Sequence, residues 1–314
     1  MSARSSSKAF TPHLADIEPE EARWTLAEYL AGRASAEVTL PRLVLAFSCV
    51  EEVEAALDQL ERQWEGTAPP ELGKLMRLLR DHRRGLSKVA ANLGNHPDPQ
   101  TPFSSTAEGL ETYRQFFDLA IRRDEPSSVA AHSLGSPKLL DKSTREIVDL
   151  FHRLGVLGPH RHRRVLEIGC GHGRILAAVA PRVDEALGID ISPAMIEGAR
   201  QRCAGLRNTA LSVTSGRDLG QFPTASFDLV YAVDAFPYIH HAGRALAALH
   251  VREAARVLRP GGDLVILNYS YRDDVAADRR EVRRLFPAAG LELLVVGEQP
   301  LRLWDGILFH ARKL

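Results

Sequence analysis

The stretch Val165-Leu166-Glu167-Ile168-Gly169-Cys170-Gly171-His172-Gly173-Arg174-Ile175 decides the fold. It opens as a short apolar run, the pattern of a strand buried on both faces of a parallel sheet. It then places glycines at alternate positions, Gly169, Gly171 and Gly173, and resumes helical apolar spacing through Ala177, Val179 and Ala180. The pattern predicts a strand, a tight turn and a helix start. Glycines at such a turn permit sharp bending and let a ligand lie against main-chain N–H groups. A dinucleotide fingerprint, G-x-G-x-x-G, would need its third glycine where Arg174 stands. The spacing here is G-x-G-x-G, with the acid Glu167 just ahead of it.

Downstream, strands alternate with helices. Strands are expected at Arg164–Ile168, Glu185–Asp190, Ala210–Val213, Phe227–Val233 and Asp263–Asn268. Helices are expected at His172–Ala180, Ser192–Cys203, Gly243–Leu258 and Val275–Ala289. Leu291–Val296 and Leu303–His310 leave no room for a helix between them, so they read as an antiparallel hairpin. Repeated βαβ units imply a mostly parallel sheet covered by helices on both faces.

Upstream, residues 1–18 read as a loose tail and residues 20–95 as four helices. Ser48 is the expected cap of the third, Val50–Trp64. The Pro-, Asn- and Ser-rich stretch 93–105 is the expected linker. It separates a helical N-terminal domain, residues 1–100, from an α/β domain, residues 101–314. Two further helices, Ala107–Arg123 and Leu139–Leu154, precede the first strand.

Composition narrows the function. The chain has 314 residues, 45% of them apolar, enough for a sizeable core. Its 40 Lys and Arg balance its 40 Asp and Glu, which argues against a broad nucleic-acid footprint. The three cysteines show no metal spacing, and their sparse, odd count fits a reducing cytoplasm. No apolar run is long enough for a membrane span, and residues 1–11 lack the apolar core of a secretory signal.

Five stretches in order resemble the class I S-adenosylmethionine (SAM)-dependent methyltransferases. They are the glycine stretch, Leu187-Gly188-Ile189-Asp190-Ile191-Ser192-Pro193, Ser215-Gly216-Arg217-Asp218-Leu219, Tyr231-Ala232-Val233-Asp234 and Glu253 through Arg259-Pro260-Gly261-Gly262-Asp263-Leu264. The resemblance implies a Rossmann-like, seven-stranded, mostly parallel sheet with an antiparallel C-terminal hairpin, and SAM as cofactor. It assigns cofactor binding to Glu167, Gly169, Cys170, Gly171 and Gly173. Asp190, with Ile191 beside it, would accept hydrogen bonds from the ribose hydroxyls. Asp218, or else the backbone at Gly216 and Arg217, would hold the adenine. Asp218 could equally be a solvated turn residue. Asp234 would attract the cofactor's ammonium or sulfonium, or cap the next turn.

An acceptor that must lose a proton needs a base, and His132, Tyr238 and His240 are the candidates. His241, Asn268, Tyr269 and Tyr271 also fall near the expected site mouth, and Tyr113, Phe116, Phe117 and Trp304 are core residues or pocket aromatics. His172 reads as an exposed first-turn residue in preference to one facing the cofactor loop. The basic run 160–164 reads as a solvated connection. The chain lacks the Asn/Asp-Pro-Pro-Tyr motif of amino-directed nucleic-acid methyltransferases. A small-molecule acceptor is therefore expected, methylated on oxygen or nitrogen, with no membrane partner and with a homodimer compatible. A protein or RNA methyltransferase recruited through the N-terminal helices is the rival, as is a SAM-binding protein that has lost transfer.

Overall fold

The apolar runs after residue 163 form seven strands: β1 (Arg164–Ile168), β2 (Glu185–Asp190), β3 (Thr209–Val213), β4 (Phe227–Val233), β5 (Leu258–Leu267), β6 (Leu291–Glu298) and β7 (Leu308–Lys313). They make one sheet of order β3-β2-β1-β4-β5-β7-β6. β1 to β5 pair in parallel, and β7 runs antiparallel to both β5 and β6. The hairpin is therefore present, with β7 inserted inside the edge. The computed structural model describes residues 14–64, 66–158, 163–272 and 274–314. Most of the tail and His160–His162 of the basic run lie outside the described residues.

Helices α7 (Arg174–Val179), α8 (Pro193–Cys203), α9 (Phe236–Ala242), α10 (Arg244–Val257) and α11 (Val275–Ala288) connect the strands. Leu166, Ile168, Val230, Ala232, Leu264 and Ile266 share one core with Val251, Ala254 and Phe286 of the covering helices. Each such aliphatic side chain contributes about 1.5–3 kcal/mol on burial, which holds the strand ends that carry the site.

Upstream lie α1 (Glu20–Leu30), α2 (Ala36–Phe47), α3 (Val50–Gln63), α4 (Pro70–Leu93), α5 (Thr106–Arg123) and α6 (Pro137–Arg153). The chain forms two compact units. One contains the residues up to His96 with Arg123–Ser143 and Arg302–Asp305; the other contains Pro97–Arg122, Thr144–Leu301 and Gly306–Leu314. In the first unit, Leu26, Leu40, Leu43, Val53, Leu57, Leu72, Leu75 and Leu134 form the core. The Tyr29 hydroxyl donates to the Glu71 carbonyl at 2.8 Å, tying α1 to the start of α4. At Gly85 a Cβ would lie 2.2 Å from the Leu134 carbonyl oxygen, so α4 needs a glycine where that segment crosses it.

Several expectations are corrected. Ser48 does not cap α3: it closes α2 in the left-handed region, at φ 70°, and Cys49 precedes α3 with no side-chain cap. The helix after β1 begins at Arg174, because Gly173 still has a positive φ of 76°. The segment after β4 contains the short helix α9, with Pro237 in its first turn. β5 begins at Leu258 and skips register before Asp263, so the Arg259–Gly262 turn is absorbed into it as a bulge. The last strand starts at Leu308, later than Leu303.

Candidate active site

Strand order reverses between β1 and β4, which are neighbours while the chain winds outward from each. Ligands of open parallel sheets bind at such a switch point, outside the carboxyl ends of the strands. The glycine loop follows β1 and Asp234 follows β4, so both flank this crevice.

Gly169, Gly171 and Gly173 all have positive φ, at 68°, 52° and 76°. Their role differs from the N–H cradle expected of them. The Gly169 and Cys170 N–H groups donate to the Ile189 carbonyl at 2.8 and 3.0 Å, and the Gly173 N–H to the Cys170 carbonyl at 2.9 Å. The Gly171 N–H donates to Asp190 Oδ2 at 2.9 Å. The loop is thus stitched onto β2, and the glycines serve its close packing. The Cys170 side chain is buried over Gly188, where a Cβ would meet its Sγ at 2.9 Å, so its thiol points into the core.

Asp190 ends β2 and is only 8% exposed. Its second oxygen accepts from the Ser192 N–H at 2.9 Å. Burial pushes its carboxyl up to about 6, opposed by the Ser192 and Gly171 N–H groups. Ser192 caps α8 by accepting from the Met195 N–H at 3.0 Å, as its position before Pro193 predicts. Its hydroxyl also donates to Asp118 Oδ1 at 2.6 Å, which takes the Ala194 N–H at 3.1 Å. Arg114 holds the other Asp118 oxygen at 2.9 Å. The sequence reading missed Asp118, since nothing local links a mid-helix acid on α5 to a helix start far along the chain.

Glu167, near the end of β1, is 2% exposed. The Tyr231 hydroxyl donates to its Oε2 at 3.2 Å. Burial pushes its carboxyl up to about 8, opposed by the Arg174 charge and the Tyr231 hydroxyl. Arg174 is itself buried, and its Nη1 donates to Thr144 Oγ1 at 3.0 Å. In the ligand-free protein Glu167 therefore carries a proton at neutral pH. Its ordinary value is 4.5, so between about 4.5 and 8 unfolding releases a proton, and stability falls as pH rises through that window. Glu167→Gln keeps the neutral shape. Thermal melts across pH should show this slope in the parent and lose it in the variant, which becomes the more stable of the two near pH 8. Identical slopes would mean that Glu167 is ionised when folded.

Asp234 adopts a positive φ of 62°, and Asn268, at the end of β5, one of 63°. Non-glycine residues held in that region mark positions constrained by their surroundings, often functional ones. Here the constraint is visible. Asp234 Oδ1 accepts from Asn268 Nδ2 at 2.8 Å and from the Tyr271 hydroxyl at 2.6 Å. The Tyr271 and Tyr238 hydroxyls are hydrogen-bonded to one another, and burial pushes both phenols up. Tyr238 meets Tyr113 and Phe117 of α5 edge-on, each at 5.0 Å.

The other predicted residues fall as follows. Gly216 is buried with φ 72°, and a Cβ there would meet Ile191 Cγ2 at 2.7 Å and Leu110 Cδ2 at 2.9 Å. Asp218 is exposed and accepts from the Gly220 N–H at 2.9 Å, a local Asx turn. Arg217 is exposed beside it, its N–H directed at Ser215 Oγ at 3.3 Å. His240 Nε2 lies 3.6 Å from Glu281, and burial pushes the imidazole down. His132 belongs to the helical unit, where its Nε2 meets Ser143 Oγ at 2.7 Å and its ring stacks on Trp304 at 5.4 Å. The structure thus gathers Tyr238, Tyr271, Asn268 and Asp234, and gives His132 partners within its own unit. His172, expected to be exposed, is fully buried, and burial pushes it down to about 3.

Residues 165–262 match the family model described as a methyltransferase domain. The demethylmenaquinone methyltransferase of Tropheryma whipplei is 37% identical over 116 residues, 37% of this chain and 46% of that protein. The aklanonic acid methyltransferase DauC of a Streptomyces species is 38% identical over 119 residues, 36% of this chain and 51% of that protein. The chain spans about half the length of these curated relatives. Among solved structures, the YcgJ protein of Bacillus subtilis aligns with 47% of this chain and 70% of its own, at 25% identity and a TM-score of 0.40. Among the described residues no helix is long and apolar enough to cross a membrane, and no group of three or more His, Cys, Asp or Glu is placed to hold a metal ion.

Proposed function

The chain carries a class I SAM-dependent methyltransferase domain, and from that premise we propose that the protein transfers a methyl group from SAM to an oxygen or nitrogen of a small-molecule acceptor. The observation that carries the proposal is Asp190, a buried carboxylate bonded to the glycine loop at the carboxyl end of β2. A carboxylate has about four lone-pair sites, and main-chain N–H groups take two of them here. Two vicinal ribose hydroxyls match the remainder, so the residues present fit the cofactor. Gly216 packs closely against the apolar side chains of Ile191 and Leu110, the side assigned to the adenine. Asp234 supplies a carboxyl group for the cationic end, while Glu167, buried and bonded to Tyr231, supports the loop from beneath.

The cofactor, when bound, supplies a methyl group already activated by its positive sulfur, so the protein's task is chiefly positioning. Asp190 orients the ribose. Asp234, held by Asn268 and Tyr271, presents one fixed negative charge on the side of the crevice that leads to α9. Tyr238 and Tyr271 bring hydroxyls to the same place, where an acceptor proton has a hydrogen-bonded route toward the Asp234 carboxylate. The two named relatives act, by their names, on small molecules, and the net charge of +0 gives no electrostatic reason to favour a nucleic acid.

Calorimetric titration with SAM and with S-adenosylhomocysteine tests the proposal first. Dissociation constants in the micromolar range are expected for both, about −8 kcal/mol. A screen of small acceptors with labelled methyl groups then tests transfer. Absence of binding by either nucleoside would sink the reading. Binding without transfer to any acceptor would leave a SAM-binding protein in its place.

A further inference from the structure

A pocket of about 480 Å³ opens beside α9, walled by the segment ahead of α5, by α9 and its C-terminal turn, and by the loop after β5. Its volume falls within the range of small-molecule sites, about 300–1,000 Å³. Tyr271 lies in its wall and donates its hydroxyl to Asp234, so the pocket abuts the loop after β4.

The wall is one-sided in charge. His240, His241, Arg244 and Arg272 line it, and no acidic side chain does among the described residues. His241 is fixed: its Nε2 lies 2.9 Å from the Thr101 carbonyl and its Nδ1 2.5 Å from the Tyr113 hydroxyl. Burial pushes the His240 imidazole down. The two arginines carry the positive charge.

Arg272 is held by acids at all three nitrogens: its Nε donates to Asp278 Oδ1 at 2.7 Å, its Nη2 lies 2.7 Å from the same oxygen, and its Nη1 lies 2.8 Å from Glu281 Oε2. Both acids stand on α11 and are already engaged, Asp278 by the Ser270 hydroxyl at 2.7 Å and Glu281 by the Tyr269 hydroxyl at 3.2 Å. They orient the guanidinium and do not line the pocket. Arg244, at the start of α10, is exposed and makes no ion pair among the described residues. The exposed Arg244 guanidinium, whose charge also acts on Glu281, offers planar, multi-donor geometry that suits a carboxylate better than any neutral group.

We propose that this pocket is the acceptor site and that the acceptor carries a carboxylate or an equivalent oxyanion, met by Arg244 at the rim. Only the word acceptor rests on the methyltransferase reading; the preference for an anion does not.

The test uses the full chain, alone and loaded with S-adenosylhomocysteine, titrated calorimetrically with benzoate, cinnamate and 2-naphthoate and with the three matching amides. At least one acid should bind about tenfold more tightly than its amide, as expected for charge-assisted against neutral hydrogen bonds. Arg244→Gln should reduce that ratio to about threefold or less, with an unchanged melting temperature showing an intact fold. Equal binding of every pair, no acid binding at about 10 mM, or a preference that survives Arg244→Gln would each overturn the proposal. If the acids bind and S-adenosylhomocysteine does not, the methyltransferase reading fails and the anion site stands. If the nucleoside binds and no acid does, the outcome is reversed.

Discussion

Gly169→Ala is expected to destabilise the folded protein by about 2–5 kcal/mol and to abolish cofactor binding with it. Two separate terms add. Gly169 has a φ of 68°, a left-handed conformation that costs an L-residue about 1–2 kcal/mol. A Cβ there would also lie 2.4 Å from the Cβ of Ala235, far inside contact distance. Overpacking of that kind costs about 1–3 kcal/mol. Neither side yields easily, because Gly169 is pinned to the Ile189 carbonyl and Ala235 lies between β4 and α9. The total is a large share of the roughly 5–15 kcal/mol that holds a domain folded. Denaturant unfolding of the variant measures it. Adding Ala235→Gly should recover the steric part and leave the conformational part. A Gly169→Ala variant within about 0.5 kcal/mol of the parent would show that the loop has another packing open to it.

Asp190→Ala is expected to weaken S-adenosylhomocysteine binding by about 10- to 150-fold, the equivalent of about 1.5–3 kcal/mol for lost charge-assisted hydrogen bonds. It also strips the Gly171 and Ser192 N–H groups of their acceptor, so some loss of stability accompanies it. Asp190→Asn separates the effects, since it retains an acceptor oxygen and removes the charge. The pH dependence sharpens the test. Burial holds the Asp190 carboxyl at about 6, above its ordinary 3.8. Protonation removes the ribose acceptor, so affinity in the parent should fall about tenfold per pH unit below about 6. In Asp190→Asn that dependence should vanish. Unchanged affinity in Asp190→Ala would remove the ribose assignment and, with it, the observation on which the proposed function rests.

These two residues also show what kind of information the chain's order carries. Gly169 and Asp190 each belong to a local pattern. An apolar run ending in alternate glycines specifies a strand and its turn. An apolar run ending in an acid, followed by Ser192 and Pro193, specifies a strand, a cap and a helix start. Periodicities of 2 and 3.6 are encoded within a dozen residues, so the βα alternation, the C-terminal antiparallel pair and the placement of Asp190 were legible. Helix and strand ends were less so. Ser48 has the right chemistry for a cap, yet the backbone uses it to close the preceding helix.

What the sequence by itself determined is therefore the architecture and the position in it of the residues proposed to hold the cofactor. The switch between β1 and β4, the glycine loop and the acid after β2 all follow from short-range patterns. What only the tertiary structure decided is the state and company of each group. Glu167 reads as a carboxylate, but its burial outweighs the opposing Arg174 charge and Tyr231 hydroxyl, so it keeps its proton. The glycine loop reads as a row of free N–H groups, but the Ile189 carbonyl, Asp190 and the loop's own Cys170 carbonyl claim them. Asp118 carries no local signature, since its meaning comes from Ser192, dozens of residues away in the chain, and Arg244 carries none because the pocket it lines is walled by other segments. Desolvation and long-range hydrogen bonding depend on which elements meet in space, and neither leaves a periodic trace in the order of the residues.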